Sequence, residues 1–292
     1  MSDSIKQNVQ WFPGHMTKAL RMIEENMKVI DVVGYLLDAR APFSCFNPAF
    51  KKVIGDKPCV FILNKADLAD EKVTKEWESY FSKQGLSVVK VVSTQTNTTA
   101  VVKTAFSAAR KKAIERFASK GVFRATRAMI LGVPNSGKST LINALSGKKN
   151  AIVGNKPGVT KGKQWIRLEE GLELLDTPGT LWNKFENQTI AENLLFVGSI
   201  SDAVVDTVEA ACILLDKLKK NYIGLVSNRY GLSEDEARLP SNELLEKISV
   251  KRGCLSRGGV DLLRAANLVC GEFKNGKIGR ITLETPKDYN LN

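Results

Sequence analysis

Histidine, closely spaced cysteines and long apolar runs are what this chain of 292 residues has least of. Its five cysteines are scattered and none has CxxC spacing, which excludes a zinc site or disulfide framework and fits reduced thiols. No apolar run approaches the roughly eighteen residues of a membrane span, and residues 1–10 lack the apolar core of a signal peptide. We therefore expect a cytoplasmic protein, or an organellar relative whose targeting segment has been removed.

The single histidine, His15, lies in the stretch QWFPGHMTKA, on a predicted turn near the start of the chain. A lone histidine is more often a structural residue than a catalytic one. The stretch alone therefore assigns no role to His15, and the rest of the sequence has to decide.

Positive charge is concentrated in the first part of the chain. Residues 1–183 contain 28 Lys and Arg against 16 Asp and Glu, whereas residues 184–292 contain 15 of each. Residues 103–127 include eight basic residues and one acid, and residues 148–167 include six basic residues and none. Such clusters suit a polyanion such as RNA, the alternative being a solvated helix face and a basic loop.

A phosphate-binding loop is the strongest local signal. A predicted strand over 128–131 leads into GVPNSGKS, a GxxxxGKS pattern, and then into a helix that begins near Lys138. In this pattern backbone N–H groups at the helix N-terminus face phosphate oxygens, Lys138 reaches the β- and γ-phosphates, and Ser139 is a Mg²⁺ ligand. The predicted nucleotide-binding residues of the loop are Asn135, Ser136, Gly137, Lys138, Ser139 and Thr140.

Two switch-like elements follow the phosphate loop. Predicted strands over 164–168 and 172–175 flank a Glu-Glu-Gly turn, and the second ends in the DxxG element DTPG. Asp176 is predicted to hold Mg²⁺ through water, and the Gly179 amide to sense the γ-phosphate. Thr160, in the basic loop before these strands, is predicted to bind Mg²⁺ only in the triphosphate state, which makes that loop a switch.

A guanine reader of the NKxD type follows a predicted strand over 60–63. Asp67 can accept from the guanine N1 and N2 hydrogens, Asn64 can contact N7, and the Lys65 stem can pack along the base and ribose. A wrong base would leave the carboxylate unpaired, which gives selectivity. A further strand over 88–92 ends at Ser93 and Thr94, where a loop that backs guanine O6 belongs.

The order of these motifs is unusual, because the base reader precedes the phosphate loop instead of following it. A closed α/β sheet tolerates cutting one surface connection and joining the old termini, and a basic helix over 98–119 is the predicted join. We predict an α/β fold: a circularly permuted P-loop GTPase domain, with a mostly parallel sheet covered by helices on both faces, over 1–183. A small, mainly helical C-terminal domain over 184–292 follows.

The sequence resembles the circularly permuted GTPases of ribosome assembly over nearly its whole length. The resemblance implies GTP hydrolysis, a late step in maturation of the large (50S) ribosomal subunit with release on hydrolysis, and an RNA-binding C-terminal domain. It also implies stimulation by potassium, with Asn135 as the possible K⁺ ligand. The matching stretches are QWFPGHMTKA (10–19), NKAD (64–67), GVPNSGKST (132–140), KPGVT (156–160), DTPGTLW (176–182) and residues 256–284.

Catalysis is the point at which this sequence differs from many GTPases. The position after DxxG, where a glutamine often orients the attacking water, is Thr180, and relatives usually have a bulky aliphatic residue there. In the resembling family the histidine of the N-terminal PGHM turn has that role, and His15 matches it. An RNA contact is the other interpretation of this turn.

Two functions remain open, and in both the protein binds the large subunit and its rRNA. One is a GTPase that the large subunit and potassium stimulate, with Mg²⁺ as cofactor, and the other is a GTP-dependent placeholder with negligible turnover. A tRNA-modifying GTPase is a weaker third, since the C-terminal cysteine such enzymes need is not evident. A basic patch within residues 247–264 is a candidate rRNA contact, and we expect a monomer off the ribosome.

Overall fold

The computed structural model describes residues 14–118, 125–147, 164–168, 171–181, 185, 187–201 and 205–291, and of residues 14–16, 49, 110, 112–114, 116–118 and 164 the backbone alone. In the first half of the chain the elements are α1 (Gly14–Met27), β1 (Val32–Asp38), α2 (Ala49–Ile54), β2 (Cys59–Asn64), α3 (Glu71–Lys83), β3 (Ser87–Lys90), α4 (Asn97–Ala118), β4 (Thr126–Gly132) and α5 (Lys138–Ser146). The second half contains β5 (Gln164–Leu168), β6 (Leu172–Asp176), α6 (Gln188–Phe196), α7 (Thr207–Tyr230), α8 (Glu234–Arg238), α9 (Ser241–Lys251), β7 (Leu255–Ser256), β8 (Gly259–Val260), α10 (Leu262–Lys274) and a 3-10 helix (Pro286–Tyr289).

Six strands form one sheet in the order β3-β2-β1-β4-β6-β5. All neighbours are parallel except β5, which runs antiparallel to β6 as the other arm of a hairpin. Every residue of β1 is buried, as expected for a strand at the centre of a parallel sheet with helices on both faces. The predicted fold class is therefore confirmed.

The strand order explains how a permuted chain builds an ordinary nucleotide site. Strand β1 pairs with β2, which precedes the base reader, and with β4, which precedes the phosphate loop. The two motifs therefore lie at the same edge of the sheet although they come in reversed order along the chain. The predicted join is α4, which connects the edge strand β3 to β4.

Two apolar cores lie on opposite faces of the sheet. On one face, α4 and α5 cover the strands through residues such as Phe106 and Leu141. On the other face, a single cluster of buried residues extends from Ile23 of α1 through Trp77 of α3 to the C-terminal helices and Ile281. The sheet and the C-terminal helices thus share one core. The predicted domain boundary at residue 183 lies within residues 182–184, outside the described ranges, and stays a prediction.

Some boundaries differ from the prediction. His15 was predicted on a turn, but the structure places its backbone within α1 (Gly14–Met27). Helix α8 begins after Ser233, which forms a capping box with Glu236. The β7–β8 hairpin was not predicted. Within the described ranges no helix is long and apolar enough to cross a membrane.

The segment after α10 returns to the sheet. Residues 277–285 form neither helix nor strand. The Leu283 N–H donates to the Arg40 carbonyl over 2.8 Å, and the Trp77 indole N–H donates to the Glu284 carbonyl over 3.0 Å. The end of the chain is therefore part of the structure around the carboxyl ends of β1 and β2.

Candidate nucleotide site

The predicted site residues that the structure describes in full follow β2, β3, β4 and β6, and these strands are parallel. The carboxyl ends of neighbouring parallel strands meet at one edge of a sheet, and ligands of open α/β folds bind there. The topology therefore brings together the base reader, the loop after β3, the phosphate loop and the DxxG element.

The phosphate loop has the backbone shape that its sequence predicts. Asn135 and Gly137 have positive φ angles of 57° and 97°, so the chain curls between β4 and α5. A Cβ atom on Gly137 would lie 2.3 Å from the side-chain nitrogen of Asn64, which explains why only glycine fits here. The curl directs the loop around the N-terminus of α5, where backbone N–H groups and the helix dipole favour an anion.

Lys138 is the buried cation of this site. Its ammonium group donates to the carbonyl oxygens of Gly132, over 3.0 Å, and Val133, over 2.9 Å. Burial lowers the pKa of Lys138 to about 8, although the nearby Asp176 carboxylate acts in the opposite direction. Ser139 and Thr140 follow in the first turn of α5 and are half-buried. Lys138 is thus held at the loop, as its predicted phosphate contact requires.

Asp176, at the end of β6, fits its predicted role toward Mg²⁺. Its side chain is 2% exposed, and its Oδ1 has no hydrogen-bond partner among the described residues. Burial raises the pKa of Asp176 to about 6, against the effect of Lys138. A buried carboxylate oxygen without a donor suits the water shell of a cation. The described residues form no cluster of three or more His, Cys, Asp or Glu that could hold a metal by itself.

The DxxG element lies against the phosphate loop. A Cβ atom on Gly179 would lie 2.7 Å from the backbone of Pro134 and 2.9 Å from the Lys138 ammonium. The Thr180 N–H donates to the Gly132 carbonyl over 3.3 Å. The Thr180 side chain is buried, and within the described ranges its hydroxyl has no partner. Residue 180 therefore joins the two loops and offers no side-chain amide.

Asn64 joins three loops. Its side-chain nitrogen donates to the Ser136 carbonyl over 2.8 Å, and its Oδ1 accepts from the backbone N–H and the hydroxyl of Ser93, over 3.0 and 2.7 Å. The side chain of Asn64 thus ties the base reader to the phosphate loop and to the loop at Ser93. Thr94 is exposed beside Ser93.

Lys65 and Asp67 differ in how they are held. The Lys65 ammonium donates to the Asn135 carbonyl over 2.7 Å and pairs with the Asp38 carboxylate over 2.9 Å. Asp67 is exposed, as a carboxylate that reads a base has to be. The reader is therefore anchored at Lys65 and open at Asp67.

Two predicted residues are not placed at the site. Thr160 lies outside the described residues. The backbone of His15 lies in α1, but its side chain is outside what the structure describes. Both roles therefore stay predictions.

Asp38 and Arg40 belong to the site and were missed from the sequence. The Arg40 guanidinium donates to both carboxylate oxygens of Asp38, over 2.9 and 2.8 Å, and both residues are 1% exposed. Burial raises the pKa of Asp38, but Arg40 and Lys65 outweigh it and hold that pKa well below its usual range. The sequence did contain a signal for them, because a charged pair follows a buried apolar strand. That strand, β1, lies beside β2, which carries the base reader.

Comparisons with known proteins agree with this geometry. A family model described as "50S ribosome-binding GTPase" matches residues 127–232. The ribosome biogenesis GTPase A of Bacillus cereus is 41% identical over 285 residues, which cover 96% of this chain and 95% of that protein.

Two solved structures share the fold. The GDP-bound structure of TM YlqF has a TM-score of 0.66 and 31% identity, and covers 92% of this chain and 100% of that one. The GNP-bound YlqF of T. maritima has a TM-score of 0.65 and 32% identity, with 92% and 99% covered. The chain therefore belongs to the ribosome biogenesis GTPase A family, the circularly permuted GTPases that its motif order predicts.

Proposed function

We propose that this protein is a GTP-hydrolysing assembly factor that binds the large ribosomal subunit late in its maturation and leaves after hydrolysis. The observation that carries the GTP-binding part of the proposal is the Asn64 side chain, which joins the base reader, the loop at Ser93 and the phosphate loop at Ser136. The names of the relatives, which are ribosome biogenesis GTPases, support the role in assembly.

The phosphates bind between the phosphate loop and the DxxG element. Lys138 contacts the β- and γ-phosphates, and the backbone around Gly137 and Gly179 surrounds them. Ser139, Asp176 and, in the triphosphate state, Thr160 hold Mg²⁺. When bound, Mg²⁺ neutralises charge that develops on the phosphate oxygens.

Guanine binds at the exposed end of the base reader. Asp67 accepts from N1 and N2, Asn64 contacts N7, and the loop at Ser93 and Thr94 backs O6. Lys65 packs along the base from a position fixed by Asp38. An adenine nucleotide leaves the Asp67 carboxylate without a donor, and this selects GTP.

His15 orients the attacking water in this proposal. Thr180 supports it, because this side chain is buried and carries no amide. An imidazole can orient or polarise water near neutral pH. Asn135 serves as the K⁺ ligand through which potassium stimulates turnover.

The partner is the large subunit with its rRNA, bound through the basic clusters and the C-terminal domain over 184–292. Exposed basic residues in the patch within 247–264 are available for phosphate contacts. We expect the protein to act in the cytoplasm and to be monomeric off the ribosome. Because the DxxG element leads into the C-terminal helices, hydrolysis reorients them and weakens the hold on the subunit.

The test is GTP turnover in potassium buffer, with and without purified large subunits, for the native protein, His15→Ala and Lys18→Ala. Lys18 is exposed on the same helix, so its variant controls for changes to α1. We expect subunits to stimulate the native protein and Lys18→Ala, while His15→Ala binds GTP normally and loses the stimulation. Equal stimulation of all three proteins would rule out catalysis by His15.

The alternative is a GTP-dependent placeholder on RNA with negligible turnover, which Thr180 in place of a glutamine favours unless His15 acts. A placeholder binds subunits more tightly with GTP than with GDP, yet none of the three proteins is stimulated. The same experiment therefore separates the two functions.

A further inference from the structure

An arginine of the C-terminal tail, the segment after α10, contacts the backbone of the base reader. The Arg280 guanidinium donates to the carbonyl of Ala66, over 3.0 Å, and to that of Ala69, over 2.8 Å. Ala66 immediately precedes Asp67, and Asp67 and Arg280 line one cavity of about 340 Å³. One side chain therefore fixes the backbone on both sides of the carboxylate that reads the base.

The residues after Arg280 make further contacts with the same loop. The Ile281 N–H donates to the Leu68 carbonyl over 2.9 Å, and the Asp70 N–H donates to the Thr282 hydroxyl over 3.1 Å. Tyr222 of α7 donates to the Asp70 carboxylate over 3.2 Å. Four of the five residues from 66 to 70 thus have one backbone group bonded to the tail, which restrains the loop that carries Asp67.

A second connection runs from α10 through Arg40. Its Nη1 donates to the carbonyls of Phe273 and Lys274, over 3.3 and 3.1 Å, where a cation is favoured by the helix dipole. The same guanidinium holds Asp38, and Asp38 pairs with Lys65. The end of α10 is therefore linked to the reader by a chain of buried, charge-assisted contacts.

We propose that the C-terminal tail is part of the guanine site, with Arg280 and Arg40 as positioning residues that set guanine selectivity. The inference rests on the proposed role of Asp67 as base reader. Lys65 has a φ of 59°, a conformation that an L-residue holds only when its surroundings impose it. Asp67 is exposed, so packing around its side chain does little to hold it in place. The contacts of the tail with the neighbouring backbone restrain it instead.

The test compares Arg280→Ala with Lys287→Ala, which removes the same charge from an exposed position of the same tail. Affinity is measured by calorimetry for GDP and for inosine diphosphate, which lacks the 2-amino group that Asp67 accepts from. Inosine diphosphate keeps the N1 hydrogen, which is one of the two donors to Asp67. We therefore expect Arg280→Ala to bind GDP about tenfold more weakly and inosine diphosphate only about threefold more weakly than the native protein does. Lys287→Ala should match the native protein, and Arg280→Lys should lie between, because a lysine cannot bond both carbonyls as a fork.

Equal weakening of both nucleotides, or unchanged GDP affinity, overturns the proposal. A native protein that does not prefer GDP to inosine diphosphate refutes the proposed role of Asp67 instead. Hydrogen exchange tests separately whether Arg280 restrains the backbone of residues 66–70. Arg280→Ala should accelerate exchange of the amides over 66–70, and Lys287→Ala should not. Unchanged exchange in Arg280→Ala would show that Arg280 does not restrain this loop, whatever the nucleotide data show.

Discussion

At the scale of single residues, the site contains two buried groups of opposite charge whose pKa values lie close to neutrality. Burial raises the pKa of Asp176 to about 6 and lowers that of Lys138 to about 8. Both groups are therefore charged between these values. Below pH 6 the folded protein takes up a proton on Asp176, and the neutral carboxyl no longer attracts a cation.

We therefore predict that the contribution of Mg²⁺ to GTP affinity depends on pH. At subsaturating Mg²⁺, the Mg²⁺-dependent part of GTP affinity should fall by about tenfold per pH unit below pH 6, because the metal requires ionised Asp176. Nucleotide affinity with and without Mg²⁺ at pH 5 to 7.5 measures this. Asp176→Asn is the control for titration of the phosphates themselves, and a native profile parallel to that of the variant would contradict the prediction.

At the scale of elements, the sequence predicted those strands and helices that combine a continuous pattern with a marked end. Strand β2 is an apolar run that ends at Asn64, and α5 begins at Lys138, directly after the glycine-rich loop. The contacts of the tail gave no such signal. Arg280 bonds to backbone carbonyls more than 200 positions away, and every residue type offers a carbonyl. The two-residue strands of the β7–β8 hairpin are likewise too short to show alternation.

The helix of the phosphate loop allows a matched test at its two ends. Gly137 and Gly147 both have a positive φ, 97° and 63°, and precede and follow α5. A Cβ atom on Gly137 would lie 2.3 Å from the Asn64 side chain, whereas nothing lies within 4 Å of one on Gly147. Alanine should cost each position about 1 kcal/mol of backbone strain. Only Gly137→Ala should displace Asn64.

We therefore expect Gly137→Ala to weaken GDP binding by at least about tenfold, since Asn64 joins three loops of the site. Gly147→Ala should bind GDP as the native protein does, with a slightly lower midpoint of urea unfolding. Calorimetry and urea titrations on the same samples separate the two effects. Equal GDP affinity in the two variants would show that contact with Asn64 is not what requires glycine at 137.

At the scale of the whole molecule, charge is distributed unevenly between the two parts of the chain. The excess of basic residues lies in residues 1–183, and residues 184–292 are neutral overall. Even so, the neutral part presents Lys247, Arg257 and Arg264 as exposed side chains on α9, the β7–β8 hairpin and α10. Local exposure of basic residues, more than net charge, determines how many phosphates a surface can contact.

This leads to a prediction about salt. If the three residues bind rRNA phosphates, replacing Lys247, Arg257 and Arg264 by alanine should lower the slope of log affinity for large subunits against log salt by about one for each phosphate that is no longer neutralised. GDP affinity should not change, because none of the three lies at the nucleotide site. Alanine at Lys51, Lys52 and Lys72, which are exposed on α2 and α3, removes the same charge and is the matched control.

Sedimentation of large subunits with each triple variant, over a series of potassium chloride concentrations, gives the slopes. A reduced slope for the first variant alone places rRNA against the C-terminal helices and hairpin, because each neutralised phosphate releases its own counterions. The same reduction in both variants would mean that the subunit responds to net charge alone. No reduction in the first variant would restrict the rRNA contacts to the basic clusters of residues 103–127 and 148–167, and the C-terminal helices would then serve the guanine site alone.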